Sequence, residues 1–239
     1  MASRLKRRSR GSPAKPRPPK VPNPVAVTLV ESPEPRSDAF AVVGIGASAG
    51  GLEAFTRLLK ALPGDTGMAF VLIQHLDPKH PSLLSEILSR ASALPVTSAT
   101  DDMAVEPNHV YVMPENADME IDQGILRLAR REGDKGHHLP IDGFLKSLAR
   151  DQRGRAIGVI LSGTASDGVV GLRAIKAEGG ITFAQAEQSA KFGSMPHSAI
   201  AAGVVDLVLP PEEIATELGR IARHPYVRSH DAIPEAPVD

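Results

Sequence analysis

Three residues in this sequence have side chains suited to acyl-transfer chemistry, and each follows an apolar run. Ser48 closes AVVGIGAS, His75 closes MAFVLIQH, and Asp167 lies in TASDG just after RAIGVILSG. A serine hydroxyl is a poor nucleophile at its own pKa and needs an adjacent base. An imidazole, which titrates near neutrality, can be that base. A carboxylate on the far ring nitrogen fixes the tautomer and stabilises the imidazolium. Ser48 also precedes a helical pattern, so backbone N–H groups lie nearby to receive a developing oxyanion.

The segment around Ser48 fits a second machine as well. Gly44, Gly46 and Ala49 satisfy G-x-G-x-x-A, the phosphate cradle of dinucleotide folds, while Gly46, Ser48 and Gly50 satisfy G-x-S-x-G, a nucleophile turn. A dinucleotide fold needs an acid at the end of its second strand to hold the ribose. Asp65 follows Gly44 by 21 positions but falls in PGDTG, before that strand, which ends in Gln74-His75. The nucleophile reading is therefore preferred. In it, Gly46 and Gly50 permit a tight turn and Gly51 permits close approach of the following helix. A metal reading, with His75, Asp77 and His80 as ligands, competes weakly, because Pro78 and Pro81 constrain that loop and no further ligand set is evident. No metal or cofactor is expected.

Positioning three side chains on one rim requires strands that share a direction. From residue 39, apolar strands alternate with helical patterns: GLEAFTRLLKAL, SLLSEILSRA (entered through Pro81 and Ser82), PIDGFLKSLARD, GVVGLRAIKAEG, SMPHSAIAAG and PPEEIATELGRIAR are helical. Strands this apolar indicate a parallel sheet covered on both faces. ADMEIDQGILRLAR alternates about Gly124 and reads as a hairpin. The expected fold is α/β: a doubly wound, mostly parallel sheet, with helices on both faces and a β-hairpin excursion. In such sheets ligands sit at the carboxyl ends of the strands, the rim that carries Ser48, His75 and Asp167.

Composition narrows the partners. Residues 1–38 read as a disordered, basic, Pro-rich tail, 39–225 as the catalytic domain and 226–239 as a loose C-terminal tail. The first 20 residues carry eight Lys or Arg and no acid, leaving the remainder at a net charge of −9. An acidic domain with 3% aromatics and no Trp has no footprint for nucleic acid. No apolar run suits a membrane span, no secretion signal is evident, and cysteine is absent, all compatible with a cytoplasmic protein. The basic tail is suited to an acidic partner.

The lesser candidates have plain explanations. Asp167-Gly168 also suits a turn and helix cap. Asp142, after Pro140, belongs to the first turn of a helix, where a carboxylate is ordinarily stabilising. Asp101 and Asp102 read as solvated, Asp77 and His80 as loop-ordering, and His137 and His138 as polar loop residues. Met195-Pro196 starts a helix near the cleft.

The order Ser, His, Asp differs from the Ser, Asp/Glu, His of α/β-hydrolases. Over residues 40–224 the chain instead resembles the catalytic domain of the chemotaxis protein-glutamate methylesterases, the CheB family. The resemblance rests on IGASAGG, QHLDPKHPS, MAVEPNHVYVMP, PIDGFLKSLA, LSGTASDGVVGL and GSMPHSAIAAG, in the family's order. The wording of QHLDP, LPIDGF and LSGTASDG is nearest to the branch fused to methyltransferase and sensor-kinase modules.

The resemblance implies hydrolysis of methyl esters on chemoreceptor glutamates, with deamidation of particular receptor glutamines as a further activity. It implies Ser48 as nucleophile, His75 as base and Asp167 as orienting acid, with oxyanion donors at the main-chain N–H groups of Ala49 and Thr164. The alternative is a regulatory binding module of a chemosensory system that keeps the fold without turnover. Two departures stand out: Ala49 where the family often has Thr, and Thr164-Ala165 where it often has Met-Gly. The family's usual receiver domain is also not evident in the 38 basic, Pro-rich N-terminal residues. Phosphorylation control within the chain is therefore not expected.

Overall fold

The structure, a computed structural model, describes residues 40–75, 83–130 and 139–224. The expected tails, Asp77, His80, the Pro81-Ser82 helix entry, and His137 and His138 lie outside the described residues.

The chain begins with β1 (Val42–Ala47), every residue of which is buried. It continues through α1 (Gly51–Ala61), β2 (Ala69–Gln74), α2 (Leu84–Ser89) and β3 (Val96–Ser98). Next come β4 (Met103–Ala104), β5 (His109–Val112), β6 (Ala117–Asp122) and β7 (Ile125–Arg130). The second half runs α3 (Pro140–Gln152), β8 (Ala156–Ile160), α4 (Val169–Ala177), β9 (Ile181–Gln185), α5 (Ser194–Ala201), β10 (Leu207–Leu209) and α6 (Pro211–Ala222).

Seven strands form one sheet in the order β10-β9-β8-β1-β2-β5-β3. Every pairing in it is parallel. From β1 the chain builds outward to β2, β5 and β3 on one side, and later through β8, β9 and β10 on the other. The junction of β1 and β8 is thus the switch point, where a crevice opens at the carboxyl ends of the strands.

Both faces are covered, as fully apolar parallel strands require. Ala54, Phe55, Leu58 and Leu59 recur at helical spacing along α1 and pack with α6 residues Ile214, Ala215 and Leu218 beneath Val43, Ile45 and Ala47. On the opposite face, Ile141, Phe144, Leu145 and Leu148 of α3 pack with Leu172 and Ile175 of α4. Burying a residue such as Leu58 or Phe144, both fully covered, contributes about 1.5–3 kcal/mol each.

Glycines on that second face set how near α3 can come. A Cβ at Gly44 would lie 2.7 Å from Leu145 Cδ2, and one at Gly46 would lie 2.4 Å from Ile141 Cγ2. Gly46 is therefore required by helix packing across the sheet. It lies within β1, not in the turn where the sequence reading places its role. Gly50 does serve the turn, with φ of 76°. Gly51 permits close approach of α1, since a Cβ there would meet Ala47 Cβ at 2.8 Å.

The hairpin of β6 and β7 forms as the alternation predicts: Met119 and Ile121 face the core while Asp118, Glu120 and Asp122 face out. It acquires a third strand that the sequence does not signal, because Met103 and Ala104 pair with Leu126 and Ile125. Two residues are too few to show a period. Asp101 and Asp102 are exposed as expected but serve this sheet: Asp101 accepts from the Leu128 N–H at 2.9 Å, and Asp102 pairs with Arg127.

Candidate active site

Ser48, His75 and Asp167 all emerge at the carboxyl rim, after β1, β2 and β8. The first and third follow the two strands that flank the switch point. Ser48 sits between the end of β1 and the start of α1. Its N–H donates to the Ser162 carbonyl at 3.0 Å, and its carbonyl accepts from the Gly51 N–H at 2.9 Å. The left-handed Gly50 closes this turn.

The Ser48 Oγ lies 3.4 Å from His75 Nδ1, and His75 Nε2 lies 2.8 Å from Asp167 Oδ2. A carboxylate only accepts, so it fixes the proton on Nε2 and leaves Nδ1 free to accept from the serine hydroxyl. The His75 side chain is 31% exposed and the Asp167 side chain fully buried. The His75 imidazole is thus reachable from the cleft while the Asp167 carboxylate bound to it is sealed from water.

A buried carboxylate needs partners, and Asp167 has them in an unexpected place. Its Oδ2 accepts from the Ile141 N–H at 3.0 Å and its Oδ1 from the Asp142 N–H at 2.9 Å. These amides belong to the first turn of α3, where free N–H groups and the helix dipole favour negative charge. Asp167 therefore caps α3. The following helix, α4, is preceded by Gly168, with φ of 98° and no side-chain cap bond.

Asp142 returns the favour. It lies in the first turn of α3 as expected, but it is buried, and its Oδ1 accepts from the Gly171 N–H of α4 at 2.7 Å. Burial pushes its carboxyl above the ordinary range, outweighing the Gly171 bond, and the neighbouring Asp167 adds to the rise. The two helix starts are thus cross-capped by two carboxylates, a relation that no local sequence spacing encodes.

The amides of Ala49 and Thr164 have no hydrogen-bond acceptor among the described residues. Ser48 and Gly163 lie close: a Cβ on Gly163 would sit 3.1 Å from Ser48 Cβ and 2.5 Å from Met195 Cε. Met195 is buried in the first turn of α5, as its expected place near the cleft requires. Ala165, one of the two departures, holds φ of 67°, a left-handed conformation that costs an L-residue roughly 1–2 kcal/mol. Among the described residues no group of three or more His, Asp or Glu side chains is arranged to hold a metal ion.

Residues 43–218 match the family model described as CheB methylesterase. The chain belongs to the CheB methylesterase family. Its similarity to named members runs through the whole domain. It is 36% identical over 200 residues to protein-glutamate methylesterase/protein-glutamine glutaminase 2 of Burkholderia lata, covering 83% of this chain and 59% of that protein. It is 34% identical over 200 residues to the corresponding protein of the group 3 operon of Rhizobium meliloti, covering 81% of this chain and 55% of that protein. The chain thus spans less than two thirds of the length of these curated relatives. Among solved structures, the Thermotoga maritima CheB methylesterase catalytic domain superposes with a TM-score of 0.70 at 29% identity, covering 77% of this chain and 99% of that one. The CheB fold accounts for the parallel sheet, the two helical layers and the small antiparallel sheet together.

Proposed function

We propose that this CheB-family domain is a serine hydrolase that removes methyl esters from glutamate side chains of chemoreceptor-type proteins. The observation that carries the reading is the line from Ser48 Oγ through His75 to the buried Asp167 at the open rim of the sheet. Ser48 attacks the ester carbonyl carbon as its proton passes to His75 Nδ1. The tetrahedral intermediate collapses, His75 returns the proton to the methoxide, and methanol leaves an acyl ester on Ser48. Water, deprotonated by the same nitrogen, then releases the glutamate carboxylate and restores Ser48. Asp167 holds the imidazole throughout and offsets the positive charge it gains.

The amides of Ala49 and Thr164, which have no acceptor among the described residues, are the donors we assign to the oxyanion. One such donor is worth about 3 kcal/mol in the transition state, and general base catalysis about 10²–10⁴ in rate. The same sequence with ammonia as leaving group converts a receptor glutamine to glutamate. The relatives' names pair the two activities.

A fluorophosphonate probe tests the nucleophile directly. It is expected to label the wild-type chain on Ser48 and to leave Ser48→Ala unlabelled. A folded wild-type chain that resists the probe would favour a binding module without turnover.

A further inference from the structure

The proposed acyl-transfer reading needs two amides from different segments to meet at one oxygen, and one buried side chain joins those segments. Ser162 follows β8 and is 1% exposed. Its carbonyl accepts from the Ser48 N–H at 3.0 Å. Its hydroxyl donates to the Ala49 carbonyl at 2.9 Å and accepts from the Phe192 N–H at 3.0 Å. Its own N–H donates to Gln185 Oε1 at 2.8 Å. Gln185 is held in turn, since its Nε2 donates to the Ser189 carbonyl at 2.9 Å.

Resting on that reading, we propose that Ser162 is a positioning residue for the oxyanion site. It clamps the Ser48–Gly50 turn against the Gly163–Thr164 segment and so fixes the spacing of the Ala49 and Thr164 N–H groups. The Ser162 hydroxyl sits hard against the turn: a Cβ on Gly50 would lie 2.6 Å from its Oγ. The next residue is tied down as well. The Gly163 N–H donates to the Phe192 carbonyl at 2.9 Å, and the Gly163 carbonyl accepts from the Met195 N–H at 3.1 Å. Donors contribute to catalysis when they are aimed before the charge develops. Losing the hydroxyl leaves the Ala49 carbonyl and the Phe192 N–H without this buried partner, so the turn relaxes to find others.

The test compares wild type, Ser162→Ala and Ser162→Thr on a glutamate methyl-ester peptide. It adds binding of a small alkylboronic acid, whose tetrahedral adduct on Ser48 occupies the oxyanion site, and amide NMR spectra. Ser162→Ala is expected to lower kcat about 10–100-fold, to weaken boronate binding by the same factor, and to change KM little. Ser162→Thr restores the hydroxyl and most of kcat. Ser162→Cys, similar in size but a weak donor, follows the alanine pattern and replaces it if alanine does not fold. The Ala49 and Thr164 amide resonances move in Ser162→Ala while those of Val71 and Leu145 stay.

A folded Ser162→Ala with near wild-type kcat, a kcat loss without matching boronate loss, or unmoved Ala49 and Thr164 resonances overturns the proposal. If wild type releases no methanol, the acyl-transfer reading fails, and the amide resonances still decide whether Ser162 sets the turn.

Discussion

At the scale of single residues, backbone strain is stored two positions before Asp167. Ala165 holds φ of 67° in the segment between Ser162 and Asp167. Glycine reaches this region without steric cost, though it loses more chain entropy on folding. The two effects leave Ala165→Gly more stable than wild type by about 0.5–1 kcal/mol, read from the urea midpoint. An unchanged or lowered midpoint would mean that the surroundings already absorb the strain. The shared rim of Ser48, His75 and Asp167 was legible in the sequence because each follows an apolar run, and strand direction sends such ends to one rim. Ser162 was not, since its role lies in hydrogen bonds to Ala49 and Phe192, remote in sequence from it and from each other.

At the scale of elements, α3 is the part that holds the Asp167 carboxylate. Its first-turn amides bind Asp167, and its Ile141 and Leu145 sit over the bare backbone of Gly46 and Gly44. Gly46→Ala forces a Cβ into Ile141, so it destabilises the fold by about 1–3 kcal/mol. The shift of α3 carries Asp167 with it and lowers kcat. Ile141→Ala makes room for the new Cβ, so the double variant loses less stability than the sum of the two single variants. Strict additivity would show that the glycine serves the strand and not the helix.

The cross-cap gives a pH signature. Burial raises the Asp142 carboxyl above its unfolded value near 3.8. Its contribution to stability is therefore fully present below that value and is lost as pH rises through the folded pKa. Asparagine keeps a carbonyl acceptor for Gly171 and does not titrate. The stability of Asp142→Asn relative to wild type is expected to rise as pH climbs above the ordinary carboxylate range, measured by urea unfolding. A flat or falling difference would contradict the assignment. The sequence placed Asp142 correctly in a helical first turn, but nothing local showed that Gly171 of another helix would cover it.

At the scale of the whole molecule, fold class was the most legible feature. Continuous apolar runs interleaved with helical patterns leave little choice but a covered parallel sheet, and the hairpin declared itself by alternation around Gly124. The short β4 escaped because pairing with β7, not its own two residues, defines it.

Charge is also a property of the whole chain. The first 20 residues hold eight basic side chains, against a net −9 for the rest. If this basic segment meets an acidic surface of the substrate, a chain lacking residues 1–38 should show a higher KM at low salt. The difference should vanish as salt shortens the Debye length from about 30 Å at 0.01 M to about 8 Å at physiological strength. Equal KM values at every salt concentration would remove the segment from substrate capture.

Covalent catalysis by Ser48 is tested most directly by methanol release from a methylated chemoreceptor fragment. Wild type is expected to release methanol in step with the appearance of unesterified glutamate, and Ser48→Ala to release none above the rate without enzyme. Turnover by folded Ser48→Ala at the wild-type rate would contradict the mechanism.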